Sequence, residues 1–279
     1  MPSSPDWRRS RSVISGRTRV FALLGDPVSH SLSPAMHNAA FHALGLEAVY
    51  VPLRCAADAV GPLMRALTAA GGGGNVTVPH KETAANLVNR LRERARAVRS
   101  CNTFWAEDGE CAGDNTDTEG FLAALDDLDP PDSDWLVAGT GGSARAVVGA
   151  ARERGANVAV LSRDAGRRQG FEKWVASVGV GLAQPEACRV LVNATPLGLQ
   201  PRDLAPIPID LAPRAEIGLD LVYAKGETAW VRALRTRGIR AADGRTMLVA
   251  QGAAAFERWF PDVPAPREVM RAAVDAALR

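Results

Sequence analysis

Apolar residues in this chain fall into short blocks closed by turn formers, and between the blocks they recur every three or four positions. That alternation predicts strands and helices in succession. In the first half, strands are expected at Val20 to Leu24 and Val49 to Leu53, with a third short one running through Val76 and Val78 to stop at Pro79. Helices are expected from Ser33-Pro34 to Gly45, from about Ala57 to Ala70, and as one Arg-rich segment from Lys81 to about Val98. Serine accepts from free amides as an N-cap and proline loses nothing at the first helical position, so Ser33 is expected to cap. Two strand-and-turn segments, Ser100 to Trp105 and Gly113 to Asp117, precede a helix from Thr118 to Leu125.

The acidic, Pro130-Pro131-bearing stretch from Asp126 to Asp134 reads as a boundary. Beyond it, strands are expected at Trp135 to Ala138, Asn157 to Leu161, Val190 to Asn193, Ile217 to Tyr223 and Ile239 to Ala242. A helix is expected from Met247 to about Trp259, and a last one, Glu268 to Arg279, is expected to pack back on the first half. Residues 1–17, rich in serine, proline and arginine, read as a disordered tail. The expected organisation is an α/β protein with 18–117 and 247–279 forming one domain on a mostly parallel sheet, and 118–246 a second, Rossmann-type domain.

With 279 residues, 47% hydrophobic, the chain can fill two cores. The net charge of +2 comes from mixed signs, which does not suggest nucleic acid as a partner. No apolar run approaches the length of a membrane helix and no apolar segment follows the arginine-bearing start, so a cytoplasmic protein is expected. Cys55, Cys101, Cys111 and Cys188 lie far apart without a Cys-x-x-Cys pair and read as reduced, buried thiols. His37 and His42 project about 140° apart on one helix, which disfavours a metal site there; no metal is expected.

Three stretches carry candidate chemistry. Gly139-Thr140-Gly141-Gly142-Ser143-Ala144 follows a strand and opens a helix, the setting of a dinucleotide fingerprint. Gly139 permits the turn, Gly141 lets backbone meet a pyrophosphate, and Ala144 allows close helix–strand packing. At the next strand end, Ser162-Arg163-Asp164 with Arg167 suits the 2′-phosphate of NADP, because guanidinium grips phosphate as a fork; Asp164 could orient Arg163 or admit NAD. Asn75-Val-Thr-Val-Pro-His-Lys81, entered through Gly71 to Gly74, places a lysine just past a strand end, where open α/β sheets present active groups. The hydroxyls of Ser31 and Ser33 stand beside a positive helix terminus, either to seat a carboxylate or merely to cap and turn.

These stretches, with Gly25-x-Pro27-x-x-His30-Ser31-x-Ser33-Pro34, Asn102-Thr103, Asp114-Asn115-Thr116-Asp117, Asn193-Ala194-Thr195-Pro196-x-Gly198, Asp220-x-Val222-Tyr223 and Gly244-x-x-Met247-Leu248-Val249-x-Gln251, resemble the shikimate dehydrogenase family from about Val20 to Phe260. The resemblance implies a substrate domain and an NADP domain, with Lys81 and Asp117 as the catalytic pair. It implies that Ser31, Ser33, Thr77, Asn102, Tyr223 and Gln251 hold the substrate. For the cofactor it implies Gly139, Gly141, Gly142, Ser143, Ala144, Ser162, Arg163 and Arg167 at the phosphates, and Thr195, Gly244 and Met247 near the nicotinamide. The implied reaction is reversible reduction of 3-dehydroshikimate to shikimate by a monomer or homodimer.

Departures from the family pattern add two expectations. Four glycines replace the usual aromatic before the Lys81 stretch, so that segment is expected to be mobile. Ser162-Arg163-Asp164 replaces Asn-Arg-Thr, which keeps open an NAD-using quinate/shikimate or aminoshikimate dehydrogenase. A hydrolase built on Gly141-Gly142-Ser143 is disfavoured by Arg145 at the second glycine of the elbow, and a non-catalytic sensor by the presence of both Lys81 and Asp117.

Overall fold

The computed structural model describes residues 14–200 and 202–279. The expected tail lies outside these residues up to position 13. Residues 14–18 form an exposed turn in which the Thr18 amide donates to the Ser15 carbonyl, and Arg17 pairs with Glu47 at 3.1 Å.

The first half contains β1 (Arg19–Gly25), α1 (Ser33–Ala43), β2 (Ala48–Arg54), α2 (Ala57–Ala69), β3 (Gly73–Val76), α3 (Lys81–Leu87), β4 (Arg90–Leu91), α4 (Glu93–Val98), β5 (Thr103–Glu107) and β6 (Glu110–Asp114). Its strands join in the order β2-β1-β3-β5-β6-β4. The β1 ladders to β2 and β3 and the β4–β6 ladder are parallel, while β5 and β6 form a hairpin that pairs antiparallel to β3.

The second half runs through α5 (Thr116–Asp126), β7 (Trp135–Ala138), α6 (Gly142–Arg154), β8 (Val158–Leu161), α7 (Ala165–Ser177), β9 (Val190–Asn193), β10 (Ile217–Asp220), α8 (Ala229–Thr236) and β11 (Arg240–Ala242). Its sheet, β11-β10-β9-β7-β8, is parallel throughout. The strand order reverses between β7 and β9, and ligands of open α/β sheets bind beyond the strand ends at such a switch. Two helices close the chain, α9 (Arg245–Trp259) and α10 (Arg267–Ala277). Val249, Ala253, Phe256, Trp259, Met270 and Val274 join Phe21, Met36, Phe41 and Tyr50 in one buried cluster, so the C-terminal helices complete the core of the first sheet.

Several expected elements are corrected. The glycines before Lys81 are not a mobile loop: Gly73 and Gly74 lie inside β3, buried. A Cβ at Gly72, Gly73 or Gly74 would collide with the carbonyl oxygens of Val20, Phe104 and Ala22, so these positions are glycine because neighbouring backbone fills the space. Only Gly71 takes a positive φ in this run, +73°. The strand therefore ends at Val76, short of Val78.

The single Arg-rich helix to Val98 is two short helices separated by β4. The break comes without glycine or proline, because Asn89 exchanges two hydrogen bonds with Cys111 and the Arg92 amide donates to the Gly113 carbonyl. Sheet pairing there outcompetes helix propensity. Ser33 does not cap α1; it is the first helical residue, and its amide donates to Ser31 Oγ at 3.2 Å. The helix expected from Thr118 begins at Thr116, capped by Asn115, whose Oδ1 accepts from the Thr118 amide at 3.1 Å.

All four cysteines are free and buried. Burial pushes the thiols of Cys111 and Cys188 up to about 11 and that of Cys101 up to about 12, so they stay protonated and inert. Among the described residues no group of His, Cys, Asp and Glu could hold a metal, and no helix is long and apolar enough to cross a membrane.

Candidate active site

Lys81 opens α3 and Asp117 lies in the first turn of α5, and their side chains meet at 2.6 Å between Nζ and Oδ2. Both are nearly enclosed, at 10% and 8% exposure. Removing an ion pair from water costs more than its Coulomb attraction returns unless further hydrogen bonds help, so a buried pair marks a place where charge is needed. Here Asn102 Nδ2 donates to the other Asp117 oxygen at 2.8 Å.

Backbone wiring brings these three side chains together. The Cys101 amide donates to the Lys81 carbonyl, the Asn102 amide to the Asp114 carbonyl, and the Val76 amide to the Asn102 carbonyl. Asn115 Nδ2 donates to the Ser100 carbonyl at 2.9 Å. Because Asn115 takes the capping role, the Asp117 carboxylate is free to face the lysine.

Around the pair, Gln251 on α9 presents Oε1 at 3.5 Å from Asn102 Nδ2, held by its own Nε2 donating to the Leu248 carbonyl. Gly120 makes that approach possible: a Cβ there would sit 2.7 Å from the Gln251 Cβ. Tyr223 reaches the Ser31–Ser33 loop, where it contacts the Leu32 backbone; burial raises its hydroxyl above the ordinary tyrosine range and the Leu32 contact partly opposes this. Ser33 is buried and Ser31 and Thr77 are half-buried. No helix-capping bond consumes the Ser33 hydroxyl, which meets the buried Tyr50 hydroxyl on one side and can meet a ligand on the other.

The glycine turn stands on the other side. Gly139 adopts φ +115° and is pressed against the Ala194 carbonyl, joining the ends of β7 and β9 at the switch point. Gly141 precedes α6 without any side-chain cap, and a side chain there would enter open space. That leaves the amides of the first α6 turn to an anion. A cleft of about 390 Å³ adjoins them, lined by Thr140, Gly141, Arg145, Arg167, Phe171 and Trp174 among others. The residues present thus fit a dinucleotide. Ser143 is half-buried at the helix start, and Ala144, fully buried, packs in the core of the second sheet. Gly142 touches the catalytic candidate itself, since a Cβ there would lie 3.0 Å from Lys81 Cδ.

The remaining predicted cofactor residues differ in character. Arg163 and Arg167 are exposed. Asp164 caps α7, accepting from the Arg167 amide at 2.9 Å, and Ser162 Oγ accepts from the Asp164 amide at 3.3 Å. Thr195 Oγ1 donates to Asn193 Oδ1 at 2.7 Å and shapes the turn after β9. Gly244 stands just before α9, pressed on the Leu221 backbone, and Met247 is buried in the second core.

Residues that sequence reasoning left without a role are Arg145, Tyr50, Thr103 and Thr116. Arg145 stacks over Trp174 at 4.3 Å and donates to Glu82 at 3.1 Å, linking α6 to the helix that carries Lys81. The signal was present for Tyr50, one of only two tyrosines, placed inside an apolar strand.

Comparison with known proteins agrees with this geometry. A family model described as the shikimate dehydrogenase substrate binding domain matches residues 23–104, and one described as the shikimate 5′-dehydrogenase C-terminal domain matches residues 244–274. A shikimate dehydrogenase (NADP(+)) of Microcystis aeruginosa is 38% identical, over 94% of this chain and 98% of the relative. One of Rubrobacter xylanophilus is 42% identical, over 92% and 97%. Among solved structures, shikimate 5-dehydrogenase of Thermus thermophilus in complex with NADP(H) and shikimate superposes with a TM-score of 0.83 at 35% identity, covering 92% of this chain and 99% of that one. The paired lysine and aspartate, the glycine turn facing them and this similarity along nearly the whole length have one reading: the chain belongs to the shikimate dehydrogenase family.

Proposed function

We propose that this protein is an NADP-dependent shikimate dehydrogenase, reversibly reducing the ring ketone of 3-dehydroshikimate to the hydroxyl of shikimate. The observation that carries the reading is the buried Lys81–Asp117 pair at 2.6 Å, in contact with the first residue of the cofactor helix. NADPH, when bound, supplies the hydride. As the ketone oxygen gains negative charge, the Lys81 ammonium stabilises it and delivers the proton; in the reverse direction the amine accepts it. Asp117 holds the ammonium in place and accepts from a ring hydroxyl. Asn102, Gln251 and Thr77 surround the ring, while Ser31, Ser33 and Tyr223 seat its carboxylate.

The division of labour follows the two cores. We assign residues 18–117 with 247–279 to the substrate domain and 118–246 to the cofactor domain, a division supported by the C-terminal helices sharing the first sheet's core. The α6 amides and Gly141 take the pyrophosphate, with Arg163 and Arg167 at the 2′-phosphate. The engagement of Asp164 as the α7 cap supports NADP over NAD, because one of its carboxylate oxygens is already held by the Arg167 amide.

The test is the nicotinamide absorbance on adding shikimate and NADP to the wild type and to Lys81→Ala. The expected result is kcat lower by about two or more orders of magnitude in the variant, with substrate affinity within a few-fold. Near-wild-type turnover of Lys81→Ala would overturn the assignment.

A further inference from the structure

Behind the Lys81–Asp117 pair, a file of fully enclosed polar groups runs through the first sheet to Tyr50, whose hydroxyl also meets the Ser33 side chain. Tyr50 is 1% exposed, Asn75 5%, Asn102 2%, and Thr103 and Thr116 0%. The hydroxyls of Tyr50, Thr103 and Thr116 lie outside the cleft lining assigned above, and buried polar groups are retained only when hydrogen-bonded.

The direction of each bond can be worked out. Asn75 Nδ2 lies 3.1 Å from the Asn102 carbonyl, an atom that only accepts, so that end of the Asn75 amide is the NH2 and the other is the oxygen. Tyr50 therefore donates to Asn75 Oδ1, at 2.8 Å. Asn75 Nδ2 also donates to Thr103 Oγ1 at 3.0 Å. The Thr103 proton then points onward, to Asn102 Oδ1 at 3.1 Å or Thr116 Oγ1 at 3.0 Å. Asn102 Oδ1 takes the Thr116 amide as well, at 2.8 Å, which fixes its Nδ2 toward Thr116 Oγ1 and Asp117 Oδ1. The Tyr50 hydroxyl and the amides of Asn75 and Asn102 donate in the direction of Asp117, the Thr116 hydroxyl points back to Asn102 Oδ1 or Thr103 Oγ1, and the file ends on the carboxylate that grips Lys81.

We infer that Thr103, with Tyr50 at the far end of the file, is a positioning residue: together with the Thr116 amide it holds Asn102 Oδ1, so that the Asn102 NH2 faces Asp117 and the carboxylate stays aimed at Lys81. This rests on the catalytic reading of Lys81 and Asp117. Thr103 sits where β3, β5 and β6 meet, its backbone paired with Asn75 and Asp114, so the hydroxyl adds a side-chain tie between two asparagines whose amide orientation is set by backbone groups. Chains of aligned hydrogen bonds reinforce one another in a dry interior, and a break leaves an unsatisfied donor. The effect belongs in turnover, because the group misaligned is the one that holds the proton donor.

The experiment compares Thr103→Val, which keeps the shape and loses the hydroxyl, with Thr103→Ser, which keeps the hydroxyl. Thr103→Val is expected to lower kcat about tenfold with KM for NADPH unchanged, and Thr103→Ser to stay within about twofold of wild type. Equal loss in both variants, or wild-type kcat in Thr103→Val, would overturn the inference. Should Thr103→Val fail to fold, Tyr50→Phe decides: a several-fold drop in kcat with unchanged KM for both NADPH and shikimate supports the file, and wild-type kcat, or a loss carried by KM for shikimate through the Ser33 contact, refutes it. Lys81→Ala, assayed alongside, separates the two levels. An inactive Lys81→Ala beside a fully active Thr103→Val discards the file and keeps the catalytic pair; an active Lys81→Ala discards the pair.

Discussion

The Lys81–Asp117 centre and the Ser162–Arg167 turn, the two ends of the proposed site, are built in opposite ways. At the first, each polar atom has a buried partner: Asp117 has one oxygen on Lys81 and the other on Asn102, and Asn102 is held by backbone on both sides. At the second, Arg163 is exposed, the Arg167 side chain is 78% exposed, and a capping Asp164 is the main fixture. Proton delivery requires sub-ångström placement, so the chain surrounds that centre with fixed groups. A dianionic phosphate needs charge within reach and tolerates flexible side chains. The contrast teaches that one half of the proposed active site is specified by packing and the other by surface electrostatics, and the two halves should respond differently to substitution.

The largest expected effect tests the enclosed side. His37 stacks on Tyr50 with ring centroids 4.6 Å apart, beside Trp259 at 4.8 Å, and burial lowers its pKa from 6.5 to about 3. The unfolded chain binds this proton below pH 6.5 and the folded one does not until about pH 3, so stability falls as pH drops across that window. The slope is at most about 1.4 kcal/mol per pH unit from this residue. Denaturant titrations from about pH 7 to about pH 4 should show that His37→Leu flattens the dependence; an unchanged slope would mean that the back wall of the site is open to water.

A smaller effect tests the exposed side. Arg163→Ala should raise KM for NADPH about tenfold, the scale of one lost charge-assisted bond, and leave KM for NADH nearly unchanged. Equal effects on both cofactors would remove the phosphate role. The smallest concerns the fixture itself. Asp164→Ala removes the α7 cap and should cost about 1 kcal/mol in a denaturation curve, while kcat stays at the wild-type value. A large fall in kcat would show that the turn is as tightly coupled to chemistry as the lysine is.

Much of this was legible in the sequence because the informative residues sit at strand ends. Gly139, Gly141 and Ala144 announced the turn through their spacing after Trp135 to Ala138, and in the structure Gly139 turns at φ +115°, Gly141 stands at the α6 cap and Ala144 is buried in the core. Glycine misled at Gly72 to Gly74, where the cause is neighbouring backbone contributed by β1 and β5, invisible in a local window. Serine misled at Ser33, because the cap falls one residue earlier, at Leu32, and Ser33 is already helical, with its own amide donating to Ser31 Oγ. The split of the Arg-rich segment by β4 came from a pairing partner at Cys111 to Gly113, more than twenty residues away along the chain in the case of Asn89. Tyr50 and Thr103 escaped assignment for the same reason: their roles arise from contacts across strands, and sequence shows each only as a strand residue with a hydroxyl.

The return of α9 and α10 to the first sheet has a consequence for how the protein is made. On the ribosome, β1 and α1 emerge long before Phe256, Trp259 and Met270, the residues that cover Phe21, Met36 and Phe41. The second sheet, by contrast, is contiguous in the chain from Trp135 to Ala242 and can close as soon as it is synthesised. The half that carries Lys81 is thus finished after the second although it is translated before it, with its apolar face waiting uncovered until α9 and α10 have been made.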